Sequence, residues 1–276
     1  MLLRSLTLGT AALLLTFPGQ PVWAEGLIAQ AETAPSAAEE SPADALSIDD
    51  APEDGGEQPE NTEQPPLDDT DQLIVDGLTQ YENQDLDGAK ATLEQALAAA
   101  KTSNNPDQIS FALTMLGLVT VNQGDYAAAA DYGQQAIAAL EEVDDPQSTV
   151  IALNVLGLTA QAQGNLPDAI NYSQQALQLA ESIEFNSGAL NSLSILATSY
   201  RAIGQYPLAL DAAQLLIPLA QTERNAPALL SALNVASSSL LALEEYETAL
   251  IAAQDALTVA TALDSQSERA LALSNM

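Results

Sequence analysis

The chain has 276 residues, 38 acidic against 6 basic side chains, and a formal net charge of −32. A surface so short of cations offers no footprint for nucleic acid and little attraction for an anionic membrane. The absence of histidine and cysteine excludes thiolate and imidazole metal sites, a Ser-His-Asp triad, a cysteine nucleophile and disulfides. Carboxylate-pair catalysis stays open on paper, but surface Asp and Glu in this abundance are usually a solvated face.

Residues 1–24 read as an export signal. Arg4 precedes an apolar run from Ser5 to Phe17, and Val22-Trp23-Ala24 offers a cleavage site before Glu25. The run is too short to cross a bilayer comfortably. The expected location is therefore periplasmic or secreted, by export from a bacterium. Membrane contact is expected only where this segment is left uncleaved. Residues 25–68 carry no Lys or Arg and only scattered Leu27, Ile28, Leu46, Ile48 and Leu67. So little apolar surface does not offset the entropy of ordering, so an acidic disordered linker is expected.

From residue 69 to 276 the chain is Ala/Leu-rich with helical periodicity and repeats itself every 40 residues. Ala89, Ala129, Ala169, Ala209 and Ala249 form one equivalent column. Leu97, Ile137, Leu177, Ile217 and Leu257 form a second, and Leu73, Leu113, Leu153, Leu193 and Leu233 a third. Asn105, Asp145, Asn225 and Ser265 stand just before apolar-periodic runs, with proline following at Pro106 and Pro146, which marks helix starts. Each first helix should run about 17 residues to a turn at Gln84, Gly124, Gly164, Gly204 or Glu244, where glycine tolerates a positive φ. Small residues at Gly77, Gly117, Gly157, Ala197 and Ser237 would let the two helices of a unit approach closely. One such hairpin leaves an apolar face bare, and stacking buries it.

The segments "LGLVTVNQGDYAAAADYGQQAI" and "LGLTAQAQGNLPDAINYSQQAL" resemble tetratricopeptide repeats. Leu116, Gly117, Gly124, Tyr126, Ala129 and Ala136 stand in that family's order, and Leu156, Gly157, Gly164, Leu166, Ala169 and Ala176 repeat it. The resemblance covers about residues 69–264. The period is longer than the family's usual unit and is similar to the long-helix branch of kinesin light chains and bacterial signalling scaffolds. Ala197 and Ser237 replace the glycine in repeats four and five. The resemblance implies an all-α, right-handed superhelical solenoid of antiparallel helical hairpins, five repeats and the start of a sixth.

A competing local motif lies at residues 83–94, "NQDLDGAKATLE", where Asn83, Asp85, Asp87, Gly88 and Glu94 fall at EF-hand ligand places. No other unit keeps that ligand set. The loop would also need the backbone that the repeat uses for a helix from about Leu86. Calcium responsiveness is the minor alternative, and no metal site or small-molecule cofactor is expected.

The resemblance further implies a concave groove lined by the first helices. Facing it would be Ile74, Thr114, Asn154, Ser194 and Asn234, then Leu78, Leu118, Leu158, Thr198 and Ser238, with Arg201 as its cation. An asparagine can both donate to and accept from a peptide backbone. Thr114, Asn154, Ser194, Thr198, Arg201, Asn234 and Ser238 are accordingly the candidate partner-binding residues, with a neutral or basic protein or peptide as ligand and no catalysis. The basic arrangement with which chaperone-binding members clamp a terminal carboxylate is not visible. "SQSERALALSNM" opens a sixth unit and stops at Met276, which makes the sensor half of a larger enzyme or signalling protein the alternative.

Overall fold

The computed structural model describes residues 68–276. The expected leader, and the linker apart from Asp68, lie outside the described residues. These form eleven helices: α1 (Asp69–Glu82), α2 (Leu86–Ser103), α3 (Pro106–Gln123), α4 (Tyr126–Leu140), α5 (Pro146–Ala162), α6 (Leu166–Ser182), α7 (Asn186–Ala202), α8 (Tyr206–Thr222), α9 (Ala226–Ala242), α10 (Tyr246–Ala262) and α11 (Gln266–Ser274). Consecutive helices pair as hairpins, and each first helix also packs on the first helix of the next unit, α1 on α3, α3 on α5, α5 on α7 and α7 on α9. The fold is an all-α solenoid with these first helices as its inner layer.

Local chemistry explains the boundaries. Asp85, Asn105, Asp125, Asp145, Asn225 and Ser265 each accept from a backbone N–H three residues on, closing the helix start. The equivalent place before α7 holds Phe185, which cannot cap and is buried instead. The turns inside the hairpins pass through Gln84, Gly124, Gly164, Gly204 and Glu244, all at positive φ (+63°, +76°, +77°, +75° and +64°). A second set, between units, runs through Asn104, Glu184, Arg224 and Asp264, also left-handed. The junction after α4 departs from it. That helix stops at Leu140 with a right-handed cap at Glu141, and Val143 turns into the core.

Packing follows the columns. The alanines at 89, 129, 169, 209 and 249 are all buried. A Cβ at Gly77 would lie 2.7 Å from Leu93 Cγ, and one at Gly157 would lie 2.6 Å from Ser173 Oγ, in both cases on the second helix of the same unit. Small residues there set the hairpin spacing, since interaxial distance follows side-chain size at the contact.

The stretch 83–94 takes the helical alternative. Asp85 Oδ1 accepts from the Gly88 N–H at 3.0 Å, Asp87 accepts from Gln123 Nε2 at 2.8 Å, and residues 86–103 are helix. The calcium-loop alternative is thus corrected, because a helix from Leu86 cannot wrap an ion. Millimolar calcium is expected to leave the thermal midpoint where chelator leaves it, by circular dichroism; a calcium-dependent rise abolished by Asp85→Asn would contradict this assignment. Asp145 also accepts from Ser148 at its N–H (3.1 Å) and its hydroxyl (2.7 Å). Asp145→Ala should cost about 0.5–2 kcal/mol in urea unfolding. Asn165→Ala should cost less, since the Asn165 side chain makes no cap bond to its helix.

Candidate protein-interaction surface

An inner helix is flanked by its own second helix and by the inner helices before and after it, so most of its length is buried. Polar side chains at these contacts tie unit to unit. Gln108 Nε2 donates to Asp71 at 2.8 Å, and Asn122 Nδ2 donates to the Tyr81 hydroxyl at 2.8 Å. Burial pushes the Tyr81 phenol well above its ordinary pKa, and the bond from Asn122 opposes that only in part. Gln161 Nε2 reaches Thr198 Oγ1 and Ser199 Oγ, both at 2.8 Å, and the Ile195 carbonyl at 3.2 Å. Asn275 Nδ2 donates to Ser237 Oγ at 2.9 Å.

Two of the candidate residues belong to this ladder rather than to a ligand site. Asn154 is fully buried; its Nδ2 donates to the Gly188 carbonyl at 3.0 Å and its Oδ1 accepts from Ser192 Oγ at 2.8 Å. Both ends of the amide are spent on α7, so none is left for a partner backbone. Asn234 stands in the same relation to α11, donating to Glu268 Oε2 at 2.8 Å; its buried Oδ1 has no partner. The expectation that these asparagines hold an extended ligand is corrected: the position after the Leu column faces the next inner helix. Thr114 and Ser194 are buried and donate to carbonyls of their own helices, Ser110 and Leu190, each at 2.8 Å.

The remaining candidates do reach a common surface. Thr198 on α7 and Ser238 on α9 occupy the same place in successive units and are half-buried. Their hydroxyls donate to Ser194 O at 2.7 Å and Asn234 O at 2.9 Å. Arg201, a turn further along α7, is exposed, and Leu241 stands exposed at its equivalent place on α9. Leu241 was missed by the sequence reading, although its column (Tyr81, Val121, Gln161, Arg201, Leu241) changes character in every unit. The described residues hold no group of three or more carboxylates placed to share a metal ion.

Residues 112–143 and 148–222 match tetratricopeptide repeats. No curated protein sequence matches it. Among solved structures it is similar to the apo form of RapI, with 13% identity over 71% of each chain and a TM-score of 0.64. It is also similar to a signal transduction ATPase with a tetratricopeptide repeat sensor from Pyrococcus horikoshii, with 18% identity, 76% of this chain, 33% of that one and a TM-score of 0.63. A third is NprR in complex with its cognate peptide NprX, with 18% identity, 74% of this chain, 60% of that one and a TM-score of 0.56. At these identities the likeness is one of fold, and the tetratricopeptide repeat hairpin is what the chains share.

The ladder sets a measurable contrast within the repeats. Asn154→Ala removes two buried inter-unit hydrogen bonds and should lower stability by about 1–3 kcal/mol, whereas Ser238→Ala, at a half-buried place outside the ladder, should stay within about 0.5–1 kcal/mol of the parent. Urea unfolding followed by circular dichroism separates the two.

Proposed function

We propose that this chain is an exported scaffold without catalytic activity that holds a neutral or basic protein or peptide segment against the inner helices of its fourth and fifth units. The observation that carries the reading is the accessible strip of Arg201, Ser238 and Leu241, beside a Thr198 already tied to Gln161, where two inner helices present side chains outside the inter-unit ladder. The Ser238 hydroxyl, which donates to its own helix, keeps lone pairs with which to accept from a ligand N–H. Leu241 supplies apolar contact. The acid excess of the chain as a whole favours neutral or basic ligands and steers them inward.

Two further observations support the reading. NprR, similar in fold, is seen with a bound peptide, and the pattern of residues 1–24 suits export. Affinity capture from the exported fraction, with the full chain and an Arg201→Glu/Ser238→Ala variant, tests it. The expected result is a partner retained by the parent and lost by the variant, with the thermal midpoint preserved. Identical partners on both would refute the inner-wall site.

A further inference from the structure

The inner wall is not uniform along the stack. On α3 the stripe Phe111, Thr114, Leu118 and Val121, and on α5 the stripe Ile151, Asn154 and Leu158, have members three or four residues apart, hence on one face of their helix. Leu118 and Val121 are fully buried, Ile151 and Leu158 nearly so. Every residue from Ala112 to Val121 and from Val150 to Ala160 is buried. On α7 the same places hold Asn191, Ser194, Thr198 and Arg201, of which Thr198 is half-buried and Arg201 exposed.

The described helices do not account for the difference. Helices α3, α5 and α7 each pack on their own second helix, on the preceding second helix and on the inner helices to either side. In equal surroundings the larger side chain should be the more exposed, yet Leu118 is fully buried where the smaller Thr198 is half open. A helix that is apolar on its inner stripe as well as on its packed faces belongs in an environment closed on every side.

We infer that the chain's own apolar segment Ser5–Phe17 docks as a helix against this wall, across the second and third units. As a helix the segment would be about 20 Å long, the width of two inner helices packed about 10 Å apart. An unstructured chain the length of residues 18–68 spans about 40 Å, enough to turn back onto either unit, and the tether favours this segment over one from another molecule. Residues 1–24 carry no carboxylate, and Arg4 is their one charged side chain, so they meet an acidic solenoid without repulsion. Cleavage after Ala24 would bare Leu118, Val121, Ile151 and Leu158, and export would then open an apolar site that the uncleaved chain keeps closed. The wall of units two and three is independent of the strip proposed above.

The test is tryptophan emission and acrylamide quenching of the uncleaved full chain carrying Trp23→Phe with either Leu13→Trp or Leu15→Trp, two places on opposite sides of a helix. At least one reporter is expected to emit at short wavelength and to resist acrylamide. Leu118→Thr/Val121→Arg/Leu158→Thr installs the side chains that the fourth unit already accommodates, and should keep the helical spectrum while making that reporter several-fold more quenchable. Leu6→Asp/Leu14→Asp leaves the solenoid untouched and should do the same while lowering its thermal midpoint. Two freely quenched reporters, a reporter that the wall variant leaves shielded, or a thermal midpoint unmoved by Leu6→Asp/Leu14→Asp would each overturn the proposal. So would a dimer in sedimentation that loses the shielding as it dissociates, since the segment would then sit on a second copy. Arg201→Glu/Ser238→Ala should leave the reporter shielded, and a loss there would likewise overturn the wall of units two and three as the site.

Discussion

The close approach of the two helices in each hairpin is the constraint on which the rest depends. It is set by side chains no larger than a methyl group at Ala89, Ala129, Ala169, Ala209 and Ala249, all buried, and by glycine at 77 and 157, where a Cβ would meet the facing helix. Fixing that distance fixes the depth of each unit. A solenoid whose units had unequal depths would leave voids between them, and interiors at normal packing density hold few voids. The second helices α2, α6, α8, α10 and α4 accordingly all begin at the same place in a 40-residue period, from Leu86 to Tyr246. Only the junction after α4 varies, and there the loss of part of a turn of helix is offset by turning Val143 into the core.

What could be read from the sequence was what is local or periodic. The caps at Asn105, Asp145, Asn225 and Ser265 are local, and their side-chain oxygens sit where a short polar residue before an apolar run should put them. The hairpin turns at Gly124, Gly164 and Gly204 were legible because glycine is the residue of least strain at positive φ. The turns at Asn104, Glu184, Arg224 and Asp264 were not, since these four share no side-chain chemistry that marks a left-handed backbone. The calcium-like stretch shows how the two kinds of signal compete. Taken alone, Asp85 and Asp87 sit at ligand places, but the buried stripe of Ala89, Leu93, Ala96 and Leu97 requires helix, and one helix cap with one inter-helix bond absorbs both carboxylates.

The candidate site was less legible for a physical reason. Periodicity assigns a residue to a face of its helix but does not say what stands opposite. For Asn154 the opposite element is α7, and for Thr198 a turn later it is in part open. On α7 and α9 the residue one turn after the buried Ser194 and Asn234 is half-buried, so one face of a helix can be interface early and surface later. Apolar side chains between stacked units can slide by a turn at little cost. An amide aimed at one carbonyl cannot, because a missed partner leaves a buried polar group at about 1–3 kcal/mol. Gln108–Asp71, Asn122–Tyr81, Gln161–Thr198 and Asn154–Gly188 therefore act as register pins between units, which explains why polar residues persist in the interior of so apolar a stack.

The acid excess has to be tolerated by this architecture rather than neutralised in it. The Arg269–Asp264 contact is 3.9 Å long with Asp264 almost fully in water, and pairs of that kind add little. An elongated stack spreads like charges along its length, and screening at physiological salt acts over about 8 Å, so repulsion between distant units is small. The surface is then free to vary unit by unit, provided the alanine column and the register pins are kept. It varies along the inner wall, where the apolar stripe of Leu118 and Val121 gives way to an accessible polar strip in the fourth and fifth hairpins. Because each unit is packed only against its neighbours, changes confined to one or two hairpins alter that wall without altering the fold. This places the chemistry that distinguishes this chain from a generic repeat in residues 111–241.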